Sequence, residues 1–268
     1  MAERHRLRGK RGLLRSLLKT LRDQLGKPVL FHVVLWHGKD GPSLTGYDSR
    51  NPSVITHQLK AMQALGGDGA GLIALTYGPT VSPFIHEACM NMCNQANALG
   101  MPFALCFDPW TCSRDGVKYT AQAEKDAAMI AALQHPDIQF LLGCDSYLHG
   151  KPVLDFATGC DAKTVLASVP GISYWMNGVD YDWVRIPSVP NVTPLPCAYV
   201  EFNDGTGPNR NMQAWNQSLP CRIVPSLAGG TFWSRNVSSG KYVQFCTWND
   251  VAEGTDVEKF ASMISLKI

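Results

Sequence analysis

A chain of 268 residues with 45% hydrophobic content is long enough to bury one large core, and its size suits a single α/β barrel. No stretch approaches the run of about 18 apolar residues that a membrane span requires. The net charge of +2 conceals an asymmetry: the first 27 residues hold nine Lys or Arg against Glu3 and Asp23, so the remainder is acidic, and a basic tail without interleaved aromatics does not point to nucleic acid.

In residues 1–27, Leu13, Leu14, Leu17, Leu18, Leu21 and Leu25 recur at helical spacing, with Arg15, Lys19 and Arg22 on the other face. This predicts a basic amphipathic helix, distinct from the body. It would either pack on the floor of the main domain or offer a contact to an anionic membrane or an assembly partner. No apolar core and small-residue cleavage site follow the basic start, so the expectation is a cytoplasm-like setting or release by a non-classical route.

From residue 28 a rhythm of short apolar runs and helical patterns begins, the mark of parallel βαβ units. Strands are predicted at 29–35, 70–76 and 102–107, with helices from Asn51-Pro52-Ser53 to Leu65 and from Ser82 to Leu99 between them. A third helix is expected over 119–133. The run 138–143, a turn over 145–150 and the run 152–156 read as a fourth strand with a returning strand, followed by a short helix at 161–168. Further strands are expected at 172–176, 198–202, 222–227 and 242–248. Eight strands is the barrel number. The fold class is therefore α/β, a single (β/α)8 TIM-like barrel over 28–268, irregular in its second half, with the N-terminal amphipathic helix as an addition.

Nine cysteines is an odd count, and Cys106, Cys144, Cys197 and Cys246 lie in apolar runs, which predicts reduced core thiols. A Cys106–Cys112 bridge is the alternative for an exported protein. Cys89-x-x-x-Cys93 has no His or Cys partner at a zinc spacing, so no structural metal is expected. The sequons at Asn191, Asn216 and Asn236 carry meaning only in a eukaryotic secretory route. G-x-G-x-x-G, Walker, H-E-x-x-H and G-x-S-x-G patterns are absent, so no cofactor is implied.

The chemistry is expected at the end of the last run. Val243 to Trp248 is rich in aromatic and β-branched residues, and Asp250 and Glu253 follow it directly, before Gly254. In a parallel barrel that position faces the site, and two carboxyl groups are what glycoside hydrolysis commonly needs. The competing reading is helix capping, with Asp250 or Thr255 opening a last helix and Asp256 and Glu258 in its first turn. Strand ends elsewhere supply aromatics and polar groups suited to a sugar: Trp36, His37, Tyr77, Asp108, Trp110, Asp155, Tyr174, Trp175, Glu201, Asn203, Trp233 and Trp248. Core packing is the alternative for each Trp and turn closure for Asp108. Glu201, a charge inside an apolar run, is the third carboxylate, and with Asp108 it forms the replacement pair.

Thr247-Trp248-Asn249-Asp250-Val251-Ala252-Glu253-Gly254-Thr255 resembles the last-strand motif of two groups of (β/α)8 glycoside hydrolases, the family 71 α-1,3-glucanases and the family 99 endo-α-mannosidases and mannanases. Residues 48–65 followed by 69–79 are similar to the first helix and second strand of those barrels, and 136–156 with its Gly150-Lys151-Pro152-Val153-Leu154 to their fourth unit. The resemblance covers about residues 28–260. It implies endo-acting hydrolysis of an α-linked glucan or mannan, Glu253 as general acid and Asp250 as base, a carbohydrate substrate and no nucleic acid. Thr76-Tyr77-Gly78 stands where the relatives often have Trp-Tyr-Gly, and Val251 replaces an aromatic, which leaves the sugar open. A barrel without catalysis, serving to bind carbohydrate or to build an assembly, is the reading from another class.

Overall fold

The computed structural model describes residues 29–39, 46–66, 71–76, 82–107, 121–148, 153–155, 162–169, 174–178, 192–199, 243–246 and 248–249. Seven strands, β1 (Val29–Val33), β2 (Gly71–Thr76), β3 (Phe103–Phe107), β4 (Val153–Asp155), β5 (Tyr174–Gly178), β6 (Val192–Tyr199) and β7 (Val243–Cys246), form a closed barrel in sequence order. Every pairing is parallel. The helices are α1 (Pro52–Gly66), α2 (Pro83–Ala98), α3 (Gln122–Gln134), α4 (Pro136–Leu142) and α5 (Ala162–Ser168).

The first three units follow the sequence closely because their boundaries are chemically marked. Asn51 accepts the Ser53 N–H at 2.9 Å and Pro52 opens α1. Ser82 accepts the Ile85 N–H and Pro83 opens α2. α2 ends in a Schellman turn: the Met101 N–H reaches Ala96 O at 2.9 Å, the Gly100 N–H reaches Asn97 O at 3.0 Å, and Gly100 takes the positive φ of 63° that this turn requires. Ile85, Ala88, Cys89, Met92, Cys93 and Ala96 line the buried side of α2, which packs on β2 and β3. All of β2 and β3 is buried, as expected of strands covered on both faces.

Two predicted elements are corrected. Residues 138–143 are not a strand: α4 runs through them, because His135 accepts the Asp137 N–H, Pro136 fixes the first turn, and Ile138 and Leu141 bury one stripe while Phe140 is 61% exposed. The fourth barrel strand is β4, inside the run 152–156, and it pairs with β3 and β5. The sixth strand begins six residues earlier than expected. Pro194 and Pro196 lie within it, in register with Met176 and Gly178 of β5. α3 starts at Gln122, where Glu124 reaches back to the Ala121 N–H.

The predicted helix over 1–27 and the predicted strand over 222–227 lie outside the described residues. β6 pairs directly with β7, Cys197 opposite Gln244, so the described strands close as seven. Among the described residues no helix is long and apolar enough to cross a membrane. Cys89 and Cys93 are buried free thiols and Cys144 is a partly exposed one; burial raises the Cys93 and Cys144 pKa values.

β2 starts with a glycine for a packing reason. A Cβ at Gly71 would stand 2.5 Å from Leu30 Cδ2 and 2.6 Å from Pro102 O, and the second contact is backbone. Gly71→Ala is expected to destabilise the protein by about 1–3 kcal/mol, as overpacking does. Chemical denaturation measures it, and a change below a few tenths of a kcal/mol would show that β1 and β2 separate without cost.

Candidate active site

The site residues that the structure brings together lie where β7 meets the extension of β1. In register, Phe31 is opposite Phe245, but the Trp248 N–H bonds His32 O at 2.6 Å, one residue further along than that ladder predicts. The contact with β1 thus continues past the end of β7. Trp248 meets Phe31 edge to face at 5.3 Å. Trp248 is fully buried there.

Asn249 lies alongside Val34, the residue that follows β1, and its side chain bonds both backbone groups of Val34: Oδ1 accepts the Val34 N–H at 2.9 Å and Nδ2 donates to Val34 O at 2.9 Å. One amide imitates a strand residue. Nδ2 also donates to the Tyr47 hydroxyl at 2.9 Å, which in turn accepts from Gln58 Nε2 at 2.8 Å. His37 lies 2.8 Å from Asn249 O through Nε2, so its Nε2–H donates to that carbonyl, and its ring packs edge to face on Tyr47 at 5.3 Å. Asn249, 1% exposed, is thus held by its side chain and by its carbonyl. The next residue in the chain is Asp250.

Around this clamp the β1–α1 loop is braced by charge. Asp48 receives the Arg50 guanidinium at 2.8 Å, and Arg50 also reaches Glu87 at 3.3 Å and lies 4.4 Å over the Phe84 ring, tying the loop to α2. The hydrogen bond from Arg50 lowers the Asp48 pKa below its ordinary 3.8, against a smaller opposing effect of burial. The folded-state value being depressed, this contribution to stability is complete above pH 3.8 and is lost as pH falls through the lower folded value. With both side chains more than a third exposed, 39% and 37%, Asp48→Asn should lose less than about 1 kcal/mol at neutral pH. The gap to the unsubstituted protein should close in acid below that range; a gap that widens there would overturn the assignment.

Of the residues expected from sequence, Trp36 is half-buried at the end of the β1 extension and packs against the core, His37 is in the clamp, and Trp248 is in the core. Tyr174 opens β5 in register with Val192, and Asp155 closes β4 in register with Asn177. Tyr77, Asp108, Trp110, Glu201, Asn203, Trp233, Asp250 and Glu253 lie outside the described residues. Sequence reasoning passed over Asn249, Tyr47 and Arg50. Asn249 stood inside the quoted motif, and a buried amide directly before an acid was the available signal. Among the described residues, the one group of side chains able to share a metal ion is His86, His135 and Asp137, on other elements.

No family model matches the chain, and no curated protein does. The fold has counterparts. Two structures of the GH99 endo-alpha-mannosidase from Bacteroides thetaiotaomicron, one of them in complex with bis-tris-propane, match it with TM-scores of 0.52 and 0.50 at 11% identity. Each match covers 86% of this chain, and 87% and 86% of the respective neighbours. The fold of this chain is similar to that of these two structures.

Proposed function

We propose that this protein is a glycoside hydrolase acting on an α-linked glucan or mannan, with Glu253 as general acid and Asp250 as base. The observation that carries this reading is the conjunction of a GH99-like barrel with the Thr247-to-Thr255 motif at the end of its last strand, where Asn249 is clamped to β1. Catalytic carboxyl groups belong at the carboxyl ends of barrel strands, and a clamp on the residue before an acid limits the freedom of that acid. A general acid at Glu253 needs a raised pKa, which a second carboxylate nearby would provide. Asp250 acts on water with inversion, or on the substrate's own 2-hydroxyl with retention. The anomer first released, followed by proton NMR, separates the two.

The neighbours are endo-alpha-mannosidases, which favours an internal α-linkage as the point of cleavage here too. The test is a screen of the intact protein against α-glucans, α-mannans and aryl α-glycosides. Product formation that survives purification and disappears in Glu253→Gln supports the reading. Saturable glycan binding without turnover would replace it with a barrel that binds carbohydrate only.

A further inference from the structure

Apart from the residues around Asn249, three side chains from two parts of the sequence converge between helices. His86 lies in the first turn of α2, His135 is the residue between α3 and α4, and Asp137 is the second residue of α4. Their ligating atoms all lie within 4.8 Å of one another. His86 Nε2 is 2.8 Å from Asp137 Oδ2, His135 Nδ1 is 3.7 Å from the same oxygen, and the two imidazoles meet edge to face at 5.3 Å. We propose that His86, His135 and Asp137 form a binding site for a divalent cation of zinc type, joining α2 to the α3–α4 junction.

The donor set fits that ion. Two imidazoles and a carboxylate are the ligands of many zinc sites, held at about 2.0–2.2 Å in a tetrahedron whose corners are roughly 3.3 Å apart. The distances of 2.8 and 3.7 Å straddle that value, so small torsions suffice. Burial is graded in the sense a metal site needs: the side chain of His86 is 9% exposed, that of His135 31% and that of Asp137 49%. The buried imidazole anchors the ion, and the exposed side admits the ion and the water that completes its shell. One carboxylate partly offsets the charge of the cation.

Two features set the strength of binding. The Asp137 N–H bonds His135 Nδ1 at 3.3 Å, and a cation would take over that lone pair. His86 Nδ1 is buried with no hydrogen-bond partner. Without metal the ring proton sits on Nε2 and faces Asp137; metal at Nε2 moves the proton to Nδ1, where no acceptor meets it. Zinc-bound histidines ordinarily donate from the second nitrogen, so the site is an exchangeable one of moderate affinity rather than a permanent structural centre.

Cobalt(II) is the probe, because its visible spectrum separates nitrogen and oxygen ligands from the thiolates of the nine cysteines. Chelator-treated full-length protein should bind one equivalent with a saturable d–d spectrum and no thiolate charge-transfer band, and Zn²⁺ should displace it and raise Tm. Asp137→Asn keeps an acceptor for His86, and His135→Asn keeps one for the Asp137 N–H, so both variants should fold. Each should weaken cobalt binding about tenfold or more, since even groups that only orient a ligand are worth about 10–100-fold. Each should also lose the zinc-induced rise in Tm relative to its own metal-free value. Binding unchanged in both variants, a thiolate band, or no saturable binding overturns the proposal.

Discussion

Glu253→Gln is expected to suppress cleavage of a natural α-linked glycan by a factor on the order of 10²–10⁴, the usual contribution of a positioned general acid, and to leave an activated aryl glycoside readily cleaved. The difference arises at the leaving group. A sugar alkoxide departs only with a proton, whereas a nitrophenolate is stable without one. Asp250→Asn is expected to suppress both substrates alike, because the proposed base is needed however good the leaving group is. Initial rates on the two substrates for the two variants give the four numbers required. If both variants stay within a few-fold of the unsubstituted enzyme while stability falls by about 0.5–2 kcal/mol, the acids are capping residues. Glu201 and Asp108 would then be the pair to substitute.

Asn249→Ala is the substitution with the largest expected effect on stability. It removes the side chain that serves Val34 N–H, Val34 O and the Tyr47 hydroxyl, and it leaves two backbone groups of a 2%-exposed residue without those partners. A buried polar group left unsatisfied costs about 1–3 kcal/mol, so a total of roughly 3–5 kcal/mol is expected. Urea unfolding should show a lower midpoint at an unchanged slope. Asn249→Asp separates the parts: it keeps the acceptor for Val34 N–H but loses the donor and introduces a charge into a buried position. It should therefore recover little. A loss below about 1 kcal/mol in Asn249→Ala would mean that water replaces the amide and that the clamp does not hold the motif.

The sequence was most legible where a boundary has its own chemistry. Asn51-Pro52 and Ser82-Pro83 mark helix starts through a side-chain acceptor and a missing N–H, and the structure places the helices there to within a residue. The run 138–143 was misread because a short apolar stretch has no decisive period; the deciding residues, His135-Pro136-Asp137, stand just before it. β6 starts six residues before the run read as a strand, and that first part carries Pro194 and Pro196, which lack the N–H of a regular ladder. In the site, Trp248 and His37 could be picked by type but not by role. Their partners Phe31 and Asn249 lie more than two hundred residues away in the chain. His86, His135 and Asp137 have no spacing that any local pattern would single out.

The bond between Asn249 and Val34 joins residues 215 positions apart. Joining them carries the closure entropy of nearly the whole chain, a cost that rises only slowly with length. The position of Asn249 therefore depends on the seam between β1 and β7, where the two ends of the described barrel meet. A change that opens that seam would release the residue before Asp250 as well, without touching the acidic motif itself.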